Sequence, residues 1–148
     1  MTITRTTIRT ALAGAVAISV LTTCAGGRSQ PQPTSRPDFV TRSCHLPANV
    51  RACSVALRYL AALDLDRTHA ACVLLERSTL TAAGGLKGCT KTLMASRGIR
   101  IHYAVSAVRP SPLGRTIRFS TWGDGRAPVR QAMVVSPAGW IVAVAPEP

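Results

Sequence analysis

Acidic residues are scarce in this chain of 148 residues. Six Asp and Glu stand against 18 Lys and Arg, which gives a formal net charge of +12. Each acid has a local structural explanation in a flexible end, a helix break, a helix terminus or a turn: Asp38, Asp64, Asp66, Glu76, Asp124 and Glu147. A carboxylate committed to acid–base catalysis is therefore not indicated.

Several sequence signatures of catalytic and metal sites are also missing. The five cysteines form no C-x-x-C pair, which leaves a zinc ribbon or a thioredoxin-type site without support. No nucleophile elbow and no His, Asp and Glu cluster at metal spacing occurs, and Gly84-Gly85 lacks the Lys-Ser/Thr ending of a phosphate-binding loop. We therefore predict no catalytic residue, no metal site and no cofactor.

The N-terminal apolar run, residues 11–21, is too short to span a bilayer as a helix, which needs about 20 residues. It follows a segment that carries Arg5 and Arg9 and no acid. A basic segment, a short apolar run and a junction of small residues are typical of a secretory signal.

The junction Leu21-Thr22-Thr23-Cys24 resembles the lipobox of bacterial lipoproteins. This resemblance implies a signal peptide over residues 1–23, cleavage before Cys24 and a diacylglyceryl group on its thiol. The mature protein would then be anchored to the outer face of the cell membrane, in an extracytoplasmic location. An ordinary cleaved signal is the alternative.

Residues 24–43 are rich in Gly, Ser, Gln and Pro and show no apolar periodicity, so we predict a flexible, lipid-anchored tether. Its arginines could contact anionic lipid or wall polymer. The positive charge alone would also suit nucleic acid, but the export signal and the even spread of arginines argue against that partner.

If Cys24 is lipidated, four cysteines remain in an oxidising compartment, where an even number favours disulfides. We favour Cys44–Cys53 and Cys72–Cys89, because each pair joins segments that are close in sequence. A Cys53–Cys72 bond, which would link the first two helices, stays open as an alternative.

Residues 44–148 predict an α+β domain. Apolar residues at helical spacing begin after Pro47, an acidic break follows at residues 64–66, and a second helix starts with Asp66 as its N-cap. A glycine-rich loop and a short helix over 89–96 come next. Alternating patterns then indicate four strands with short turns. The first strand turns Tyr103, Val105 and Ala107 to the inward face, and the second strand has Ile117 and Phe119 on one face. Helices should therefore pack on a four-stranded antiparallel meander.

The helix-break-helix segment resembles that of small actinobacterial lipoproteins with a nuclear transport factor 2-like (cystatin-like) domain. The residues that carry the resemblance are Tyr59-Leu60-Ala61-Ala62-Leu63, Ala70 to Leu75, and Gly88-Cys89. The resemblance implies a cone-like curled sheet that encloses a pocket with the helices. Tyr59 and Tyr103 are the candidate pocket residues, whereas His102 should face away from it.

These patterns lead us to expect a non-catalytic module of the cell envelope that binds a ligand or a protein partner. One alternative is a small secreted enzyme of the same fold, isomerase- or hydrolase-like, that uses Tyr103 or His102 on a small apolar substrate. Another is a structural envelope component whose basic surface binds anionic wall polymer or lipid.

Overall fold

The structure is a computed structural model that describes residues 36–95, 98 and 100–147. The predicted signal peptide, Cys24 and the first part of the predicted tether lie outside these residues. Within the described part, four helices separate a first short strand from four longer ones.

The helices are α1 (Pro47–Asp64), α2 (Thr68–Cys72), α3 (Arg77–Ala82) and α4 (Gly85–Met94), and a 3-10 turn, Arg42–His45, precedes them. The strands are β1 (Phe39–Val40), β2 (His102–Ser111), β3 (Gly114–Trp122), β4 (Val129–Val135) and β5 (Ile141–Pro146). None of the helices in the described residues has the length and apolar character that crossing a bilayer requires.

The predicted α+β class is confirmed, but the predicted sheet of four antiparallel strands is wrong in detail. The sheet has five strands in the order β1-β2-β3-β4-β5, and β1 pairs with β2 in parallel. The other three pairings are antiparallel, as expected for the meander. Strand β1 has only two residues, which are too few to show an alternating pattern. The whole helical segment forms the crossover between the parallel strands β1 and β2.

The start of the domain also differs from the predicted boundary at residue 44. The backbone N–H of Asp38 donates to the carbonyl of Tyr103 at 3.0 Å, and that of Thr41 donates to Val105 at 2.9 Å. Residues 38–43, which we assigned to the tether, therefore belong to the folded domain. The predicted tether, placed over residues 24–43, thus overlaps the folded domain from Asp38 onward.

Helix α1 supplies much of the helical side of the core. Proline at its first position suits a helix start, because that N–H would have no helical partner. Its buried residues include Ala56, Tyr59 and Leu60, and they share one cluster with buried residues of β2, β3 and β4. Val50, in the first turn of the helix, is 50% exposed.

The acidic break is present, but Asp66 does not cap α2. Asp66 has a positive φ of 54°, and its carboxylate accepts a hydrogen bond from the backbone N–H of Gly98. Asp64 accepts one from the N–H of Ile101 at 3.1 Å. Both acids thus tie the end of α1 to the segment that leads into β2, which local capping signals could not predict.

The glycine-rich segment forms helix rather than a loop. We predicted a loop around Gly84, Gly85 and Gly88, yet α4 begins at Gly85, and α3 was not predicted at all. Helix propensity is a weak guide where neighbouring elements pack on a segment. In this case α4 is attached to α2 by a disulfide.

A β-bulge changes the alternation in β2. Tyr103 and Val105 are buried as predicted, but the register shifts between Val105 and Ala107. Val108 therefore packs against the core in the place that strict alternation gives to Ala107.

Candidate functional site

Both favoured disulfides are present. Cys44–Cys53 joins the 3-10 turn to α1, and Cys72–Cys89 joins α2 to α4. All four cysteines are at most 6% exposed, so each disulfide is part of the interior. Such bonds persist in oxidising compartments and are rare in the cytosol, which supports an extracytoplasmic location.

A cavity of about 370 Å³ lies beside the second disulfide, between α1, α3, α4 and the edge strand β5. We call it the Tyr59 cavity. Its lining is mostly apolar and consists of Tyr59, Leu75, Thr79, Ala83, Cys89, Thr92, Leu93 and Val144. Small-ligand pockets are typically apolar spaces of roughly 300–1,000 Å³ with a few polar groups, so this cavity is at the small end of that range.

The three polar side chains of the lining differ in what they can offer a ligand. The Thr79 hydroxyl donates to the carbonyl of Val142, and the Thr92 hydroxyl donates to the carbonyl of Gly88 at 3.0 Å. No described residue makes a hydrogen bond with the Tyr59 hydroxyl. Among the described residues, no fully buried side-chain polar atom lacks a partner, so the Tyr59 hydroxyl retains some contact with solvent.

Tyr59 as a whole is only 7% exposed. This burial raises the pKa of its hydroxyl above the ordinary tyrosine value, because a phenolate would be poorly solvated there. The group therefore remains a neutral hydroxyl over the physiological pH range. It can donate a hydrogen bond to a ligand or accept one.

Tyr103, the second candidate pocket residue, does not line the Tyr59 cavity. It is 1% exposed and belongs to the core cluster with Phe119, Ile117 and Leu60. The alternation in β2 correctly places it on the inward face, but the helices fill the space in front of it. Of the two candidate pocket residues, Tyr59 lines this cavity and Tyr103 does not.

His102 lies in a polar cluster on the opposite face of β2. Its Nε2 is 2.9 Å from a carboxylate oxygen of Asp124, and its Nδ1 is 3.6 Å from one of Asp38. Its ring stacks on Trp122 with the ring centroids 5.8 Å apart. The prediction that His102 faces away from the pocket agrees with this position.

Sequence analysis missed this cluster. Asp38 was assigned to a flexible end and Asp124 to a turn, whereas the fold brings both to His102. Asp38 and Asp124 lie 64 and 22 residues from His102 in the sequence, so no local sequence pattern predicts these contacts. The carboxylate of Asp38 also accepts a hydrogen bond from the N–H of Tyr103 at 3.2 Å, so the cluster holds β1 against β2.

Glu147 is the other acid that we assigned to a flexible end. Its carboxylate lies 2.6 Å from the guanidinium of Arg118 on β3, and its N–H donates to the carbonyl of Arg130. In the described part of the chain, no group of three or more His, Cys, Asp or Glu side chains is placed to hold a metal ion.

No protein-family model and no curated protein matches this chain. The function of the protein must therefore be inferred from the chemistry of its own sites.

Proposed function

We propose that this protein is a membrane-anchored, extracytoplasmic binding module that holds a small apolar ligand in the Tyr59 cavity. The observation that carries this proposal is one available hydroxyl in a mostly apolar cavity whose other hydroxyls are bonded to the backbone. Such a cavity suits an apolar molecule with a single hydroxyl or carbonyl group.

The location has separate support. The N-terminal segment has the features of a lipoprotein signal that ends at Cys24, and the two disulfides suit an oxidising compartment. In this arrangement, residues 24–37 would connect the lipid anchor to the folded domain.

We further propose that the domain is nuclear transport factor 2-like. The order of elements, with helices followed by a meander of four long strands, supports this assignment. The Tyr59 cavity lies between the helices and the edge strand β5.

The enzyme alternative has less support from the geometry. It depended on Tyr103 or His102 at a substrate site, and neither residue lines the Tyr59 cavity. Tyr103 is enclosed in the core, and both ring nitrogens of His102 face carboxylates. We therefore favour binding without catalysis.

Filling the cavity tests the proposal. Val144 lines the cavity from β5, so Val144→Trp should occupy it and abolish binding of a small apolar fluorescent probe such as N-phenyl-1-naphthylamine. Val129→Trp is the matched control, because Val129 is also an exposed strand valine but does not line the cavity. The proposal fails if both variants fold and bind the probe equally well.

Tyr59→Phe tests the role of the hydroxyl. We expect little change in binding of a purely hydrocarbon probe and a loss of about fivefold to tenfold for a probe with one hydroxyl group, since one hydrogen bond contributes about 1 kcal/mol. Equal affinities of the wild-type protein and of Tyr59→Phe for the hydroxylated probe would show that the Tyr59 hydroxyl does not bind the ligand.

A further inference from the structure

A basic cleft of about 490 Å³ lies at the end of the domain where α1 begins. The β2–β3 turn and the β4–β5 turn form its other walls, because alternate turns of a meander lie at the same end of the sheet. Arg51 and Arg115 are its charged residues, and its lining contains no acid. We call this region the basic end.

Both arginines are held in place by backbone carbonyls. Nη2 of Arg51 donates to the carbonyl of Ala138 at 2.7 Å, and Nε of Arg115 donates to that of Ala48 at 3.3 Å. The guanidinium of Arg51 also packs against Gly139, where an added Cβ would lie 3.0 Å from Nε. In the described residues, neither arginine forms an ion pair with a carboxylate.

The positive surface continues beyond this cleft. A second cleft, of about 510 Å³, shares Arg51 and adds Arg58 one to two turns further along α1. It also has no acid in its lining. Guanidinium groups without neutralising carboxylates thus extend from the basic end along α1 to Arg58, which favours an anionic partner.

Large apolar side chains are exposed beside these arginines. Leu113, which lies between two residues of the first cleft, is 59% exposed. Trp140, which follows Gly139 of the second cleft, is 46% exposed, and Val50 of the same cleft is 50% exposed. Tryptophan and leucine beside basic residues are typical of surfaces that enter the headgroup region of a membrane.

We propose that the basic end docks on the surface of a membrane that contains anionic phospholipid. Arg51 and Arg115 bind headgroup phosphates, while Leu113 and Trp140 enter the headgroup layer. Charge complementarity identifies this occupant, since guanidinium groups bind phosphate oxygens and the apolar side chains match a lipid interface better than a soluble polyanion. This docking surface is separate from the Tyr59 cavity.

The predicted anchor is compatible with this contact. A tether over residues 24–37 spans at most about 50 Å when fully extended, which allows the basic end to reach the membrane that holds the acyl chains. Docking would convert a loosely tethered domain into one with a defined orientation on the lipid surface.

Vesicle binding without the anchor tests the proposal. The protein is the processed chain, residues 24–148, with Cys24→Ser, so that no acyl chain contributes and the whole described fold is kept. We expect it to sediment with phosphatidylcholine vesicles that contain about a third phosphatidylglycerol and not with pure phosphatidylcholine vesicles. Binding to both vesicle types alike, or to neither, would overturn the proposal.

Variants locate the surface. Arg51→Gln with Arg115→Gln should weaken binding about 25-fold, since each arginine at an anionic surface contributes about fivefold. The matched control is Arg126→Gln with Arg130→Gln, which removes the same charge at the opposite end of the sheet, where both residues are exposed. Equal losses in the two double variants would show diffuse charge attraction and refute a defined docking end.

Fluorescence of Trp140 provides an independent readout. In a Trp122→Phe background, Trp140 is the only tryptophan left, and its emission should shift to shorter wavelength with anionic vesicles. Leu113→Ser should reduce binding at constant charge, and unfolding curves would verify that the variants remain folded. Binding without a change in Trp140 emission would place the contact on another face and contradict the proposal.

Discussion

Asp38 joins the start of β1 to its neighbour β2 in two ways. Its carboxylate accepts a hydrogen bond from the N–H of Tyr103 and also faces Nδ1 of His102. Asp124 contacts the same histidine at the shorter distance of 2.9 Å, but its side chain is 78% exposed. Exposed ion pairs contribute little to stability because water screens them, so the shorter contact is not the stronger one.

We therefore predict that Asp38→Ala lowers the free energy of unfolding by about 1–2 kcal/mol, whereas Asp124→Ala changes it by less than about 0.5 kcal/mol. Urea unfolding followed by circular dichroism measures both. Equal effects of the two substitutions would show that the histidine contact, and not the hydrogen bond to Tyr103, is what holds β1.

The burial of Tyr59 makes the stability of the fold depend on pH. Because burial raises its pKa above the unfolded value of about 10, the unfolded chain ionises this group first as the pH rises. The stability associated with Tyr59 is complete below about pH 10 and is lost as the pH rises towards the folded pKa.

We predict that the unfolding free energy of the wild-type protein falls more steeply than that of Tyr59→Phe between about pH 9 and pH 11. Urea titrations of both proteins at several pH values measure the difference. Tyr103 is common to both proteins and does not affect the comparison. Parallel curves would mean that the Tyr59 hydroxyl is as well solvated in the folded protein as in the unfolded chain.

At the scale of elements, the two disulfides have different positions relative to the cavity. Cys72–Cys89 attaches α4 to α2, and Cys89 itself lines the Tyr59 cavity. Cys44–Cys53 attaches the 3-10 turn to α1 and does not line the cavity. The Cys72–Cys89 bond thus positions a wall of the cavity, whereas the Cys44–Cys53 bond positions the start of the helical layer.

Removing either disulfide as a pair of serines should destabilise the protein by about 3 kcal/mol, because the loops of 17 and 9 residues differ little in closure entropy. Only Cys72→Ser with Cys89→Ser should also weaken binding of the apolar probe under conditions where the protein stays folded. If Cys44→Ser with Cys53→Ser weakens binding equally, general stability rather than cavity shape determines affinity.

The two edge strands, β1 and β5, make contacts that the residue pattern of each strand does not predict. The outer edge of β5 begins in contact with the segment between α2 and α3. The N–H of Ile141 donates to the carbonyl of Leu74 at 2.9 Å, and the N–H of Glu76 donates to the carbonyl of Ile141 at 2.8 Å. The four meander strands could be predicted from alternating residues. The two-residue strand β1 could not, because its partner lies more than 60 residues away.

At the scale of the whole molecule, the predicted anchor has a mass signature. The protein extracted from its own membranes in mild detergent should have a mass that starts at Cys24, is raised by acyl chains and is lowered by two hydrogens for each disulfide. Cys24→Ser should release the protein from the membrane fraction or leave it unprocessed. A native mass without lipid would instead support a freely secreted protein.

Features that depend on neighbouring residues could be predicted from the amino-acid pattern alone. Periodicity was sufficient for α1, for the four meander strands and for the inward positions of Tyr103, Phe119 and Ile117. Closeness in sequence favoured the pairing of Cys44 with Cys53 and of Cys72 with Cys89, and the structure excludes the Cys53–Cys72 alternative. These are local properties, since a hydrophobic face or a short loop constrains its own segment.

Which residues share a site could be seen only in the folded chain. The fold placed Tyr59 at a cavity and enclosed Tyr103, although both face inward. It also brought Arg51 to Arg115, and His102 to Asp38, across 64 residues in each case. Packing between distant elements determines where space remains and which charges meet, and no pattern within one element contains that information.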